Sequence, residues 1–243
     1  MIRKPNFKLN WKYALGEIVL IFIGISLAIW FNNFNEERKA RKSELNILRE
    51  LRTDIQLAID ELSEDSGVVE RAISKTDSVI QLARMTKFDD YSPNWFINQF
   101  LENGLPYDVI VGLYSRTTAF QNLKSMGFEI LQTDEIRLLT VDLFERRLNR
   151  IKDWEITLVD MQNDLQKVIQ RDFRAYEGSE GELKLAPINF TSLKESHEFV
   201  NMLIRMQSTR KFTLDLFKDF QAEGQRLIEL IDQQIGIENA QLP

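Results

Sequence analysis

Cysteine is absent from the 243 residues, and histidine occurs once, as His197. The first absence removes disulfides, thiol nucleophiles and thiolate metal sites; the second removes any site built from several imidazoles. Neither a glycine-rich phosphate loop nor a metalloprotease signature occurs. Prolines number five and glycines ten, so long stretches are free of helix breakers. Acids outnumber bases beyond the start: residues 1–31 hold Arg3, Lys4, Lys8 and Lys12 against Glu17, and setting that +3 aside leaves −9 on residues 32–243. An acidic body repels phosphate backbones, so nucleic acid is not an expected partner. Apolar residues, by contrast, make up 44% of the chain, ample for a packed core.

Much of that apolar content is concentrated near the start. Residues 13–31 carry a single charge, Glu17. As a helix they reach roughly 28 Å, close to the thickness of a hydrocarbon core. Leu, Ile, Val and Phe fill eleven of these 19 positions. Each favours insertion by about 0.3–0.6 kcal/mol, which outweighs one acid costing about 2.5–3.5 kcal/mol at the centre and less near an end. Trp11 and Tyr13 at one edge, with Trp30 and Phe31 at the other, suit the two headgroup layers. The expected organisation is a basic leader (1–12), a transmembrane helix (13–31) and a helical bundle or coiled-coil domain (32–243). Two other readings fit less well. Ser26 and Ala28 resemble a signal-peptidase site, but the apolar run continues through Ile29, Trp30 and Phe31. A buried soluble helix is rarely apolar on every face for this length.

Within the run, Glu17, Gly24 and Ala28 share a helix face at spacings i, i+7 and i+11. The Gly24-xxx-Ala28 pair permits close approach of a second helix, which makes these three residues the candidate transmembrane contact. The competing reading places Glu17 about 6 Å below Tyr13, within reach of hydrated headgroups.

The stretch "KYALGEIVLIFIGISLAIWFNNFNEERK" resembles the opening of a bacterial family of single-span membrane proteins classed as a domain of unknown function. Tyr13, Ala14, Gly16, Glu17, Ile18, Val19, Leu20, Asn32, Asn33, Asn35 and Glu36 match its pattern. A looser likeness extends to "TAFQNLKSMGFEIL" and "DEIRLLTVDLFE". The resemblance implies a single-pass protein of a Gram-negative cell and carries over no activity and no catalytic residues.

Past the span the apolar spacing is helical. Leu45, Leu48, Ile55, Ile59, Leu62, Val69, Ile73, Ile80 and Ala83 form a seam at heptad spacing, interrupted by Arg52, Ser66 and Thr76. Leu51, Leu57, Ala58, Val68, Ala72, Val79 and Leu82 widen it beyond a two-stranded seam, so several helices are expected around it. The register continues back to Glu17, which predicts one uninterrupted helix through span and stalk. Pro93 in "KFDDYSPNW" ends the first run, and a short helix is expected over 95–101. A helix over about 115–126 closes at Gly127 in a left-handed cap, with Phe128 making the accompanying apolar contact. A long helix from Thr133 or Asp134 to about Ala175 presents Phe144, Ile151, Trp154, Leu158, Met161, Leu165 and Val168. "YEGSEGELKLAPIN" reads as a polar loop from which Leu183 and Leu185 can dock. A capping box, Ser192 with Glu195, opens a last helix to about Ile235, with Phe199, Leu203, Met206, Phe217, Phe220, Leu227 and Ile231 inward. The fold class is all-α, an antiparallel bundle of three long helices with shorter ones and no β-rich region.

Chemistry is sparse. His197 lies in a first helical turn between acids, where a solvated role is usual. Asp89 and Asp90 beside Tyr91 read as turn chemistry rather than a calcium site. Arg38, Lys39, Arg41 and Lys42 can touch anionic headgroups, but Glu36, Glu37 and Glu44 dilute them and an ion-paired surface fits equally well. No catalytic, cofactor or metal constellation emerges, so the expectation is a non-enzymatic membrane-anchored scaffold or interaction protein. Its partners would be the lipid bilayer and either a second copy or another membrane protein. The alternative is a sensory input module acting through a partner membrane protein, since the short leader is too small for an output domain. Basic residues after the span slightly outnumber those before it, which favours a cytoplasmic body. The short basic leader followed at once by a span instead resembles an uncleaved signal anchor. That likeness, with the strongly basic leaders of the resembling family, favours a periplasmic body at the inner membrane.

Overall fold

The computed structural model describes residues 11–84, 117–177, 181 and 183–241; among these, the side chains of 12–14, 83, 184, 194 and 237–241 stay outside the description. The expected helix over 95–101, the acidic turn at Asp89 and Asp90, and the leader residues before 11 lie outside the described residues. In order come α1 (Trp11–Arg84), α2 (Thr118–Met126), a 3₁₀ turn (Phe128–Ile130), α3 (Asp134–Val141), a π-helical turn (Asp142–Arg147), α4 (Leu148–Asp172), β1 (Phe173–Glu177), β2 (Leu183–Pro187), α5 (Phe190–Glu195) and α6 (His197–Gln241). Two compact units divide the chain, Met1–Ile47 and Leu48–Pro243. The protein is all-α in class, and the apolar run and the stalk are one unbroken helix, as the continuous register predicts.

The second unit is a bundle of three long helical segments, and its cross-links fix their directions. Along α1, Arg52 Nε donates to Asp232 at 2.6 Å, the Ile59 carbonyl accepts from Gln221 Nε2 at 3.3 Å, and Thr76 Oγ1 accepts from Arg210 Nη1 at 3.1 Å. Rising numbers on α1 meet falling numbers on α6, so these two are antiparallel. Between α4 and α6 the rings of Trp154 and Phe212 meet edge-on at 4.8 Å, and Arg171 reaches Glu198 at 3.5 Å, again antiparallel.

Apolar burial drives this packing. Leu48, Ile55, Leu62, Val69 and Ile80 of the seam are buried, while Ile59 and Ile73 are half-buried. All seven inward positions expected on α6 are buried, Phe217 and Phe220 completely. Each such ring contributes about 1.5–3 kcal/mol of transfer free energy. Leu57 departs from the expected stripe and stands 42% exposed. The three polar interruptions have partners. Arg52 pairs with Asp232, while the Ser66 and Thr76 hydroxyls donate one turn back to the Leu62 and Ala72 carbonyls, each at 2.7 Å. A hydroxyl satisfied by its own helix can enter a core without leaving a buried donor orphaned.

Several boundaries differ from expectation. The α4 helix stops at Asp172, short of Ala175, because Phe173 turns extended (φ −123°, ψ 156°) and the chain enters a hairpin. The supposed loop is therefore antiparallel β1–β2, in register Phe173↔Pro187 through Glu177↔Leu183, with the Ile188 N–H donating to the Asp172 carbonyl at 2.8 Å. Of its two leucines, Leu185 packs on the core and Leu183 is exposed. The capping box is replaced by two separate caps. Asn189 accepts from the Ser192 N–H at 3.1 Å to open α5, and Ser196 Oγ accepts from the Phe199 N–H at 3.3 Å to open α6. The last helix continues past Ile235 to Gln241. Gly127 does close α2, but at φ 94° and ψ 138°, an extended variant that redirects the chain at once. Phe128 then meets Phe120, with ring centroids 6.0 Å apart.

Candidate membrane-contact surface

The α1 stretch from Leu15 to Phe31 is exposed throughout. Among the described residues one helix is long and apolar enough to cross a membrane, this one, and none of its apolar window is buried within the chain. Ile18, Leu20 and Phe22 are each about two-thirds or more exposed, a contiguous apolar surface of the kind that marks a contact with lipid or with another protein. The helix is continuous here, and Glu17 and Ser26 carry the polar side chains of the stretch.

Glu17, Gly24 and Ala28 fall on one face of this segment and are exposed. A Cβ built on Gly24 meets no atom within 4 Å, so the face is open for another helix or for lipid. At the flanks, Trp11 and Trp30 are 63% and 64% exposed and Phe31 stands out similarly; Tyr13 lies in the helix with its side chain outside the description. Trp30 stacks on Phe34 at 5.8 Å with planes 15° apart, and the Arg38 guanidinium sits 5.8 Å from the Phe34 ring centre. The basic block just beyond, Arg38 to Lys42, is exposed, and among the described residues none of its four cations forms an ion pair.

Polar sites in the bundle have structural chemistry. Asp54, 8% exposed, accepts a 2.9 Å bond from the Ala119 N–H and so caps the start of α2 from a different helix. The π turn gathers a charge cluster: Asp142 accepts from both Arg146 and Arg147, and Arg147 also pairs with Asp219 on α6. The bond from Arg146, reinforced by Arg147, holds the Asp142 carboxyl down at about 2 despite partial burial. Thr76 on α1 and Thr209, Arg210 and Thr213 on α6 are buried polar residues, and Arg210 donates to Thr76 across the interface. A cleft of about 390 Å³ beside the hairpin is lined by Arg171, Asp172, Asn189 and Ser192 among others, but Arg171 is paired with Asp172 and Glu198. His197 is exposed at the start of α6. No group of three or more His, Cys, Asp or Glu side chains converges to hold a metal among the described residues.

The hairpin, the trans cap at Asp54 and the π-turn cluster are absent from the sequence-based expectation. Only the hairpin left a signal there, in the Phe173, Tyr176, Leu185 and Pro187 placements around a glycine-bearing turn. Comparison with protein-family models, with curated proteins and with solved structures yields no match.

Proposed function

We propose that this chain is a single-pass membrane protein of the inner membrane whose helical body serves as a scaffold or interaction module rather than as an enzyme. The observation that supports this most directly is the helix from Trp11 to Arg84, whose first part exposes an unbroken apolar surface. Lipid is the solvent that removes the cost of that exposure. Partners would dock on the span, where Glu17, Gly24 and Ala28 give a second helix room to approach, either as a second copy or as another membrane protein. The resemblance of the opening stretch to a family of single-span proteins supports the same assignment, with the body on the periplasmic side. One observation favours the sensory alternative. The Thr76–Arg210 bond between α1 and α6 is a polar contact in the interface a signal would have to shift.

Fractionation of cells expressing the chain tests the anchor: it stays with membranes through high-salt and alkaline washing, and deletion of residues 1–31 releases it. Recovery of the intact chain in the salt wash rejects the assignment. A reporter active only in the periplasm, fused after Pro243, decides the side. For the docking face, Glu17→Leu is expected to change the crosslinked species in membranes; identical crosslinks reject that contact.

A further inference from the structure

The residues just beyond the apolar run are organised more specifically than their mixed composition suggests. Trp30, Phe34, Arg38 and Lys42 recur at i+4, so at about 100° per residue they form one ridge along α1, and Phe31 and Arg41 fall within the same arc of about 120°. The ring and cation contacts at Phe34 show that the ridge is packed along its own length. Glu36, Glu37 and Glu44 fall outside this arc, and Glu36 instead accepts from Asn32 Nδ2 at 3.1 Å. Glu37 borders the arc one turn before Arg41, yet among the described residues none of the ridge's cations forms an ion pair.

Side-chain direction also favours contact with the apolar run. In a helix the Cα–Cβ bonds tilt towards the N-terminus. On α1 that is the direction of the apolar run, so the long basic side chains lean back towards it. Measured along the axis, Arg38 lies about 10 Å beyond Phe31 and Lys42 about 16 Å beyond. A headgroup layer adds about 5–8 Å to each side of the hydrocarbon core, and charge is felt for about another 8 Å at physiological salt. Both cations therefore fall within reach of lipid phosphates when Phe31 marks the hydrocarbon edge.

Building on the membrane assignment above, we propose that the ridge Trp30–Phe34–Arg38–Arg41–Lys42 is a recognition surface for anionic phospholipid headgroups. The rings lie at the carbonyl level, and the cations contact the phosphate and its additional negative charge. Charge complementarity selects this occupant: a patch of unpaired cations continuous with a lipid-facing surface meets phosphate before any other anion. Each basic residue at such a surface favours an anionic over a zwitterionic lipid on the order of fivefold.

The test uses the full chain reconstituted in phosphatidylcholine vesicles, with spin-labelled phosphatidylglycerol or phosphatidylcholine as probe. The bound fraction of each probe is read by electron paramagnetic resonance. The wild type should hold phosphatidylglycerol more strongly, and Arg38→Gln/Lys42→Gln should lower that preference by roughly 5- to 25-fold. Lys211→Gln/Lys218→Gln, which removes two exposed cations of α6, should leave it unchanged, and 0.5 M salt should weaken it in the wild type. An inserted wild-type protein that prefers neither lipid overturns the inference alone, as does an undiminished preference in the Arg38/Lys42 variant. A chain that never enters phosphatidylcholine vesicles rejects the membrane assignment itself, and the inference with it.

Discussion

Replacing Gly224 by alanine tests how closely α1 and α6 approach. Both helices are long, and an interior glycine normally costs about 1 kcal/mol relative to alanine. On propensity alone Gly224→Ala would therefore stabilise the protein. The packing opposes this: a Cβ at position 224 would lie 3.1 Å from Ile59 Cδ1 and 3.2 Å from Ile55 Cγ2. Ile59 is half-buried and its Cδ1 ends a flexible chain, so it can give way. Ile55 is fully buried, and its Cγ2 is attached directly to Cβ, so it moves only with the backbone or by leaving the χ1 rotamer that β-branching strongly prefers in a helix. Overpacking of this kind costs about 1–3 kcal/mol, which leaves a net loss of roughly 0–2 kcal/mol. Gly67 on α1 supplies the reference, because its added Cβ would meet only Arg71 Nη1 at an ordinary 3.5 Å. Gly67→Ala should raise stability by about 0.5–1 kcal/mol. Urea unfolding of the full chain in mild detergent, monitored by circular dichroism, reads both changes. Adding Ile59→Val to Gly224→Ala removes the nearer methyl and should recover part of the loss as a favourable coupling. If Gly224→Ala stabilises as much as Gly67→Ala, the two helices are not in contact at this level and the bundle register is wrong.

Two polar contacts give further tests. The folded Asp142 carboxyl titrates at about 2, below its unfolded value, so its contribution is fully present above about pH 4 and fades as pH falls towards 2. Because that side chain is 29% exposed, the contribution is discounted for solvent screening to about 1 kcal/mol. In thermal melts between pH 5 and 2, Asp142→Asn should flatten the acid-side decline relative to wild type, and parallel declines would contradict the assignment. Asp54→Ala leaves the Ala119 N–H without its cap and should cost about 1–2 kcal/mol, whereas Asp54→Asn keeps an acceptor and costs less. Equal losses for the two variants in the same urea assay would show that the bond at α2 is immaterial.

The parts of the fold legible from sequence are those where burial repeats with the helix period. Leu48, Ile55, Leu62 and Val69 on α1, Ile151, Leu165 and Val168 on α4, and Phe199, Phe217 and Leu227 on α6 are buried because each recurs on the face turned to its neighbours. Periodicity identifies a face but not which neighbour covers it, hence the misplacement of Leu57 at the margin of the stripe. It also says little about ends. Ser192 and Glu195 have the spacing of a capping box, yet the strand leaving β2 brings Asn189 to the cap position first, and Ser196 restarts the helix before the box can form. Strands of five residues are too short for alternation to be distinguished from a polar loop, which hid β1 and β2.

The π turn is illegible for a different reason, and its effect joins the fold to its charges. An i→i+5 turn accommodates one residue more than α-helical winding does, which rotates α4 by about 100° relative to α3. Phe144, Leu148 and Ile151 keep the i, i+4, i+7 spacing of one face, and Leu143, which that spacing does not reach, is buried as well. The same offset lets Asp142 meet Arg146 and Arg147 together, and brings Arg147 to Asp219 on α6. No residue type encodes such a turn; it arises from fitting two buried faces to the antiparallel α6 at once. The apolar opening of α1 is the opposite case. Its exposure depends on composition alone, which is why the proposed membrane role is readable from the first residues while the bundle's own electrostatics emerge only from its three-dimensional packing.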